Sequence, residues 1–179
     1  MYNQVVTING VSKSFAMTGW RLGYIGAPLH IAQACTKIQG QFTSGTSSIS
    51  QRAAIAAVSA NPSEIHEMRD AFLSRRDFIL EELNKIKGIN INQPQGAFYV
   101  FPDVSAFFNK SYGNFTVTNS NQLAMYILET AKVAVVTGNA FGSPNCIRIS
   151  YASSMEKLKD AMDRICLLYT SDAADDMAS

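Results

Sequence analysis

One lysine and one arginine stand eight residues apart near the start of the chain, in a segment that carries no other charge: GVSKSFAMTGWRLG, residues 10–23. A solvated protein face normally carries several charges, so two isolated cations among small and apolar residues point to a binding site. Phe15, Met17 and Trp20 follow Lys13. We therefore expect Lys13 to be removed from water, which favours the neutral, nucleophilic amine that forms Schiff bases.

The arginine of this segment, Arg21, indicates what such a lysine would hold. Residues 4–8, QVVTI, predict a buried strand that ends at Asn9-Gly10, and residues 21–28, RLGYIGAP, predict a second strand. A loop that folds back between them would bring the guanidinium of Arg21 toward the group bound to the lysine. Because a guanidinium binds phosphate through two hydrogen bonds, the expected cofactor is pyridoxal phosphate (PLP). An isolated lysine would instead be interpreted as a surface side chain.

The elements that must position these residues alternate between helix and strand patterns, which predicts an α/β architecture. Helices are expected at about 28–42, 49–60, 61–86, 120–132 and 153–165, and strands within 91–102 and at 133–138 and 146–152. Lys87-Gly88 is expected to end the third helix with a glycine cap, and Ser153 and Glu156 to cap the start of the last one.

The composition excludes several classes of partner. Fifteen Lys and Arg residues against fourteen Asp and Glu leave a net charge of +1, so nothing attracts the chain globally to nucleic acid or acidic membranes. No basic leader followed by an apolar run is visible, and no run of about 18 apolar residues occurs. We therefore expect a cytoplasmic protein without a membrane span. Charged residues make up 16%, against about 25% on average, which is consistent with surface covered by a partner or by further chain.

Cysteine and histidine residues give no sign of a metal or disulfide framework. The three cysteines (Cys35, Cys146 and Cys166) are an odd number without close pairing, so reduced thiols are expected. His30 and His66 have no second ligand at metal spacing and are interpreted as surface residues of helices.

Residues 10–23 resemble, position by position, the PLP-attachment signature of class I aminotransferases of fold type I. The resemblance continues in QGAFYVFPDVSAFF (95–108), AVVTGNAFG (134–142) and IRISYASS (147–154), and thus covers residues 2–165. Its character is that of the bacterial-type aspartate aminotransferase subgroup. The implied fold is aspartate aminotransferase-like α/β, with a PLP-binding large domain and a C-terminal small domain.

The resemblance also implies a domain division and a truncation at the N-terminus. Residues 1–60 would end the large domain, a helix would continue to about 88, and residues 61–165 would form the small domain. Residues 166–179 resemble a translated sequencing-library adapter and are expected to be a non-native read-through tail. The family's aspartate at the pyridine nitrogen, its asparagine at the ring oxygen and its stacking aromatic should all precede Lys13. We therefore expect a C-terminal fragment that is weakly active or inactive by itself.

The site residues carry over by position. Lys13 would hold the cofactor aldehyde as a Schiff base and, once released by substrate, transfer a proton at the substrate Cα. Arg21 would bind the PLP phosphate, and Ser12 would add a hydroxyl there, whereas many relatives have a serine where this chain has Gly10. Arg148 would bind the substrate α-carboxylate. Taken alone, Arg148 would be interpreted as a surface arginine at a strand edge.

Nearby aromatic residues are interpreted mainly as packing residues. Trp20 and Tyr24 are expected in the core or packed in the loop rather than on the cofactor, and Tyr99 in the core rather than at the mouth of the active site. Residues 41–48, QFTSGTSS, resemble a segment that reaches the neighbouring subunit's site, and an ordinary polar loop is the equal alternative.

The implied activity is transamination between an amino acid, aspartate in this subgroup, and a 2-oxo acid, 2-oxoglutarate, in a homodimer. Other fold type I PLP enzymes, such as a C–S lyase or a cyclopropane-forming synthase, share the lysine and both arginines and stay open. A non-catalytic ligand-sensing domain of a transcription regulator also stays open, and it would be marked by a basic winged-helix segment upstream.

Overall fold

The computed structural model of the chain describes residues 2–112 and 115–175. They form two units that divide between residues 68 and 69. The elements of the first unit are β1 (Thr7–Gly10), β2 (Gly23–Gly26), α1 (Leu29–Phe42) and α2 (Ser48–Ser59). Both helices begin within one residue of the predicted positions, α1 directly after Pro28 and α2 after Ser47. Proline is favoured at such a start because the first turn of a helix needs no amide donor.

β1 and β2 form an antiparallel hairpin that differs from the buried strand predicted for residues 4–8. The strand begins at Thr7, and Gln4 belongs to a short 3₁₀ turn. Ile8 is 78% exposed, and no third strand pairs with the hairpin in the described residues. The end of the β-branched run therefore forms a strand, as its propensity indicates, but its side chains stay exposed within the described residues.

Within the described residues, the second unit holds three α-helices and five strands. They are α3 (His66–Asn84, which begins three residues before the division), β3 (Tyr99–Val100), β4 (Lys110–Tyr112), β5 (Phe115–Val117), α4 (Ser120–Ala131), β6 (Val136–Thr137), β7 (Ile147–Ser150) and α5 (Met155–Asp175). β7 is the central strand of a three-stranded sheet in the order β3-β7-β6, and both pairs are antiparallel. β4 and β5 form a separate antiparallel hairpin that the sequence patterns did not predict.

The core of the second unit is built from apolar side chains of the three helices and the three-stranded sheet. Its fully buried side chains include Ile79, Leu83, Val100, Leu123, Ile127 and Met162. In the first unit, by contrast, the buried apolar residues among those described are few: Val11, Pro28 and Ala54. The hydrophobic stabilisation of the chain is therefore concentrated in its second unit.

Helix ends agree with the predicted capping chemistry in part. The side chain of Asn119 accepts hydrogen bonds from two amide groups of the first turn of α4, which is the usual role of an asparagine at this position. At α5 the hydroxyl of Ser154, rather than that of Ser153, accepts a hydrogen bond from an amide of the first turn. α5 also continues to Asp175, ten residues beyond the predicted end at Ile165. No glycine or proline follows Ile165 to end the helix.

Candidate active site

The predicted cofactor residues Ser12, Lys13 and Arg21 all lie in the connection between β1 and β2. The hairpin register pairs Gly10 with Gly23, so both ends of this connection are held side by side. A Cβ atom at Gly10 would lie 3.2 Å from a backbone oxygen of the opposite strand. The glycines that flank the connection therefore allow the two strands to approach closely.

Turns within this connection place Lys13 on the surface. The carbonyl of Lys13 accepts a hydrogen bond from the amide of Ala16 at 3.1 Å, and the carbonyl of Val11 accepts one from the amide of Phe15 at 3.3 Å. Val11 is fully buried and Ser12 is half-buried, whereas Lys13 is exposed. The expected removal of Lys13 from water is therefore not provided by the described residues of its own unit.

The aromatic residues of this unit are also more exposed than predicted. Trp20 is 42% exposed and Tyr24 is 47% exposed, so neither lies in a core, and packing within the loop stays a prediction. Phe15 and Met17 are half-buried. Apolar side chains around the lysine are thus present, as the sequence suggested, but they do not enclose it.

Arg21 lies beside a polar cleft of about 460 Å³. Its backbone has a φ of +53°, and its Nη1 atom donates a hydrogen bond to the carbonyl of Thr18 at 3.0 Å. Hydroxyl-bearing residues line the cleft with it: Thr43, Thr46, Ser47 and Ser50. A guanidinium among hydroxyl groups is suited to an oxyanion such as a phosphate.

These residues fit PLP by the chemistry of their donor set. One connection between two strands carries a primary amine on Lys13, a guanidinium on Arg21 and a hydroxyl on Ser12. An amine suits the aldehyde of the cofactor, and the guanidinium and hydroxyl suit its phosphate.

Arg148, the predicted carboxylate ligand, lies on β7 of the second unit. β7 lies between β3 and β6, so the alternative position at a strand edge is wrong. Its flanking residues Ile147 and Ile149 are buried in the core, at 3% and 7% exposure, whereas Arg148 is half-buried. Because side chains alternate along a strand, Arg148 points away from the core, to the other face of the sheet.

On that face the guanidinium of Arg148 contacts two aromatic rings. Its Cζ atom is 4.3 Å from the ring centroid of Tyr99 and 4.3 Å from that of Phe141. Phe101 packs edge-to-face on Phe141, with centroids 5.9 Å apart and ring planes 86° apart. No described residue forms a hydrogen bond or an ion pair with the guanidinium. Its N–H groups are therefore available, within the described residues, for an oxyanion in the plane of the guanidinium.

The sequence interpretation missed this aromatic pair. Tyr99 was expected in the core, but it is half-buried, on the same face of the sheet as Arg148. The register pairs Tyr99 with Ser150, and residues 148 and 150 lie on the same face of β7. Pairing of these two strands in the sequence analysis would therefore have placed Tyr99 beside Arg148. Phe141 lies in the quoted segment 134–142, but no local pattern shows that a loop residue reaches Arg148.

The loop that carries Phe141 is fixed by backbone hydrogen bonds. The amide of Gly138 donates to the carbonyl of Cys146 at 2.7 Å, and the amide of Ser143 donates to the carbonyl of Gly138 at 3.0 Å. The hydroxyl of Ser120, which is fully buried, lies 2.9 Å from the hydroxyl of Thr137 just before the loop. The first turn of α4 and the start of β7 thus both hold the loop in place.

Cys146 shows the electrostatics at the base of this loop. Burial raises the pKa of the Cys146 thiol, and the nearby Asp103 carboxylate raises the pKa further. Asp103 itself bridges the chain on both sides, to Asn90 and to Cys146, through backbone pairing. The thiol therefore keeps its proton to higher pH than an exposed cysteine does.

The described residues contain neither a metal cluster nor a helix that could span a membrane. In the part of the chain that the structure describes, no three His, Cys, Asp or Glu side chains are grouped as a metal ion would need. Over the same residues, no helix combines the length and apolar character that crossing a membrane requires.

Comparisons with known proteins support the resemblance. The family model described as "Aminotransferase class I and II" matches residues 1–165. A bifunctional aspartate aminotransferase and glutamate/aspartate-prephenate aminotransferase of Petunia hybrida is 48% identical over 169 residues, covering 92% of this chain and 35% of the relative. A probable aspartate/prephenate aminotransferase of Aquifex aeolicus is 42% identical, over 91% of this chain and 40% of its own length.

Solved structures agree in fold. The crystal structure of an aspartate aminotransferase from Rhizobium meliloti matches with a TM-score of 0.91 at 40% identity, over 94% of this chain and 42% of that chain. The chain thus spans less than half the length of the relatives it matches. The predicted aspartate aminotransferase-like α/β fold is confirmed, and the chain belongs to the aminotransferase class I and II family.

Proposed function

We propose that the protein to which this chain belongs exchanges an amino group between an amino acid and a 2-oxo acid with PLP as cofactor, and that this chain supplies Lys13, Arg21 and Arg148 to the reaction. The observation that carries the proposal is the family match over residues 1–165, which includes all three positions. PLP, when bound, supplies the electron sink that makes the substrate Cα–H bond acidic.

The residues of this chain have distinct roles in the proposal. The Nζ atom of Lys13 would hold the cofactor aldehyde. When substrate has displaced it, Nζ would accept the proton from the substrate Cα and deliver it to the C4′ carbon of the cofactor. Arg21 and the Ser12 hydroxyl hold the phosphate. Arg148 binds the α-carboxylate in the plane of its guanidinium and so fixes the orientation of the Cα–H bond.

We propose aspartate as the amino-group donor and 2-oxoglutarate as the acceptor, with a homodimer as the active form of the whole protein. The names of the relatives support aspartate, and several also include prephenate, which makes prephenate a second acceptor to test. The residues that would contact the substrate side chain are not among those assigned above. We expect the isolated chain to show weak turnover or none.

The test of the proposal is selective reaction of PLP with Lys13. The purified chain is mixed with PLP below stoichiometry, the imine is reduced with borohydride, and the modified lysine is located by mass spectrometry. We expect a visible imine band and modification of Lys13 in preference to the exposed Lys37 of α1. The band should disappear in Lys13→Ala and persist in Lys37→Ala.

The result against the proposal would be modification spread over the lysines in proportion to their exposure. A selective band would justify assays with aspartate and 2-oxoglutarate, and with prephenate as alternative acceptor. The same assays on a longer chain that matches the full length of the relatives would test the activity of the whole protein.

A further inference from the structure

We propose that Tyr99 and Phe141 are positioning residues that hold the Arg148 guanidinium in one plane and so determine how it receives a carboxylate. This inference deepens the proposed function and rests on it. It goes further because it assigns roles to two aromatic side chains that act through Arg148 rather than on the reacting atoms.

The geometry that carries the inference is a symmetrical contact. Both ring centroids lie 4.3 Å from Cζ of Arg148, which is well within the range of attraction between a cation and an aromatic face. Two rings in contact with one planar guanidinium restrict its rotation, and the N–H groups that they do not cover are the donors left for a ligand. Because no described residue binds those N–H groups, the arrangement presents them to a ligand.

The two rings are held by different elements of the unit, which limits the motion of both rings around the guanidinium. Tyr99 lies on β3 and is fixed by pairing with β7. Phe141 lies in the hydrogen-bonded loop after β6 and is backed edge-to-face by Phe101. An arginine without such neighbours would lose more side-chain entropy when it binds a carboxylate. Such preorganisation of the arginine increases affinity without adding a contact to the ligand.

The same unit offers an internal comparison. The guanidinium of Arg75 lies over the ring of Phe72 at 5.3 Å, on one face only. Arg75 lies on α3, and in the described residues the ring contacts of Phe72 are with Phe98 and Tyr151 rather than with Tyr99 or Phe141. Phe72→Leu therefore removes an arginine–aromatic contact of the same kind and is a matched control for the loss of a ring.

The experiment follows the Nε–H signal of Arg148 in nuclear magnetic resonance spectra of the full 179-residue chain. The signal is assigned by its loss in Arg148→Lys, and 2-oxoglutarate is the carboxylate probe, with sodium chloride at equal ionic strength as the salt control. We expect the free signal to show a ring-current shift, because protons over aromatic faces are shielded. Tyr99→Leu and Phe141→Leu should each reduce that shift and weaken 2-oxoglutarate binding about fivefold.

Two further variants and two possible outcomes make the test decisive. Tyr99→Phe keeps the ring and should keep both the shift and the affinity, and Phe72→Leu should change neither. Binding that is insensitive to loss of either ring would overturn the positioning role and leave the proposed function standing. An Arg148 signal that does not respond to 2-oxoglutarate in the unmodified chain would overturn the carboxylate role of Arg148, and this inference with it. Variants are compared only where their far-ultraviolet circular dichroism matches that of the unmodified chain.

Discussion

Gly138 is the position where one added methyl group should do most damage. An alanine Cβ there would lie 2.0 Å from the carbonyl oxygen of Ser143 and 2.4 Å from that of Cys146. Both obstacles are backbone atoms, so no side chain can rotate away. Ordinary contact begins at 3.4 Å, which means that the loop would have to open by about 1.4 Å.

The expected cost follows from what that opening breaks. Forcing a methyl group into a packed site costs about 1–3 kcal/mol. The hydrogen bonds of Gly138 to Cys146 and Ser143 would be lengthened or lost, at about 1 kcal/mol each. Gly138→Ala should therefore lower the free energy of unfolding of the second unit by about 3–5 kcal/mol. The displaced loop should also move Phe141 from the guanidinium of Arg148.

Urea denaturation followed by far-ultraviolet circular dichroism measures this cost, since three helices of the chain lie mainly in the second unit. Gly96→Ala is the matched control, because nothing lies within 4 Å of its Cβ position and its φ is ordinary, so its effect should be near zero. Gly142→Ala should cost about 1 kcal/mol, because Gly142 has a φ of +74° but open space around it. If Gly138→Ala unfolds at the same urea concentration as Gly96→Ala, the argument from close approach is wrong.

Other predictions concern thiols, pH and one helix cap. Iodoacetamide at pH 8 should alkylate the exposed Cys35 at least about fivefold faster than Cys146 or Cys166, because burial raises the pKa of the latter two thiols. Peptide mass spectrometry measures the three rates, and similar rates would contradict this prediction. Burial raises the pKa of Tyr151 as well as those of Cys146 and Cys166, so the unfolded chain loses these three protons at lower pH than the folded chain does. The urea midpoint of the second unit should therefore fall as pH rises above about 9. A midpoint that increases over this range would contradict the prediction. Asn119→Ala should cost about 1 kcal/mol of unfolding free energy by losing the cap of α4, and Asn119→Ser should restore most of it.

Local chemistry explains which parts of the fold could be predicted. Pro28 and Asn119 act at helix starts through their own backbone or side chain, so the beginnings of α1 and α4 follow from sequence alone. The β4–β5 hairpin was missed because its strands have three residues each, too short for a clear alternation. The burial predicted for the first strand was wrong because burial depends on what packs against a strand, which propensity does not contain.

The candidate site likewise contains residues that could be predicted from the sequence and contacts that could not. Lys13 and Arg21 could be proposed from residue type and spacing, because a lone amine and a lone guanidinium are chemically specific. The exposure of Lys13 could not, since it depends on which chain segments cover the loop. The contact of Phe141 with Arg148 joins a loop to a strand seven residues later, and only the register and the loop hydrogen bonds bring them together.

The unequal cores of the two units have a thermodynamic consequence for ligand binding. The residues proposed to hold the cofactor lie in the unit with few buried apolar side chains, so the ordered form of that unit is only weakly favoured by its own packing. Any ligand that binds only this form must supply the free energy of ordering. Its apparent affinity is the intrinsic affinity multiplied by the fraction of chains that are ordered. Trp20, the chain's single tryptophan, lies in this unit and therefore reports the ordering by fluorescence. A ligand of the Lys13 loop would then act as a folding ligand, whose concentration sets how much of the first unit is native.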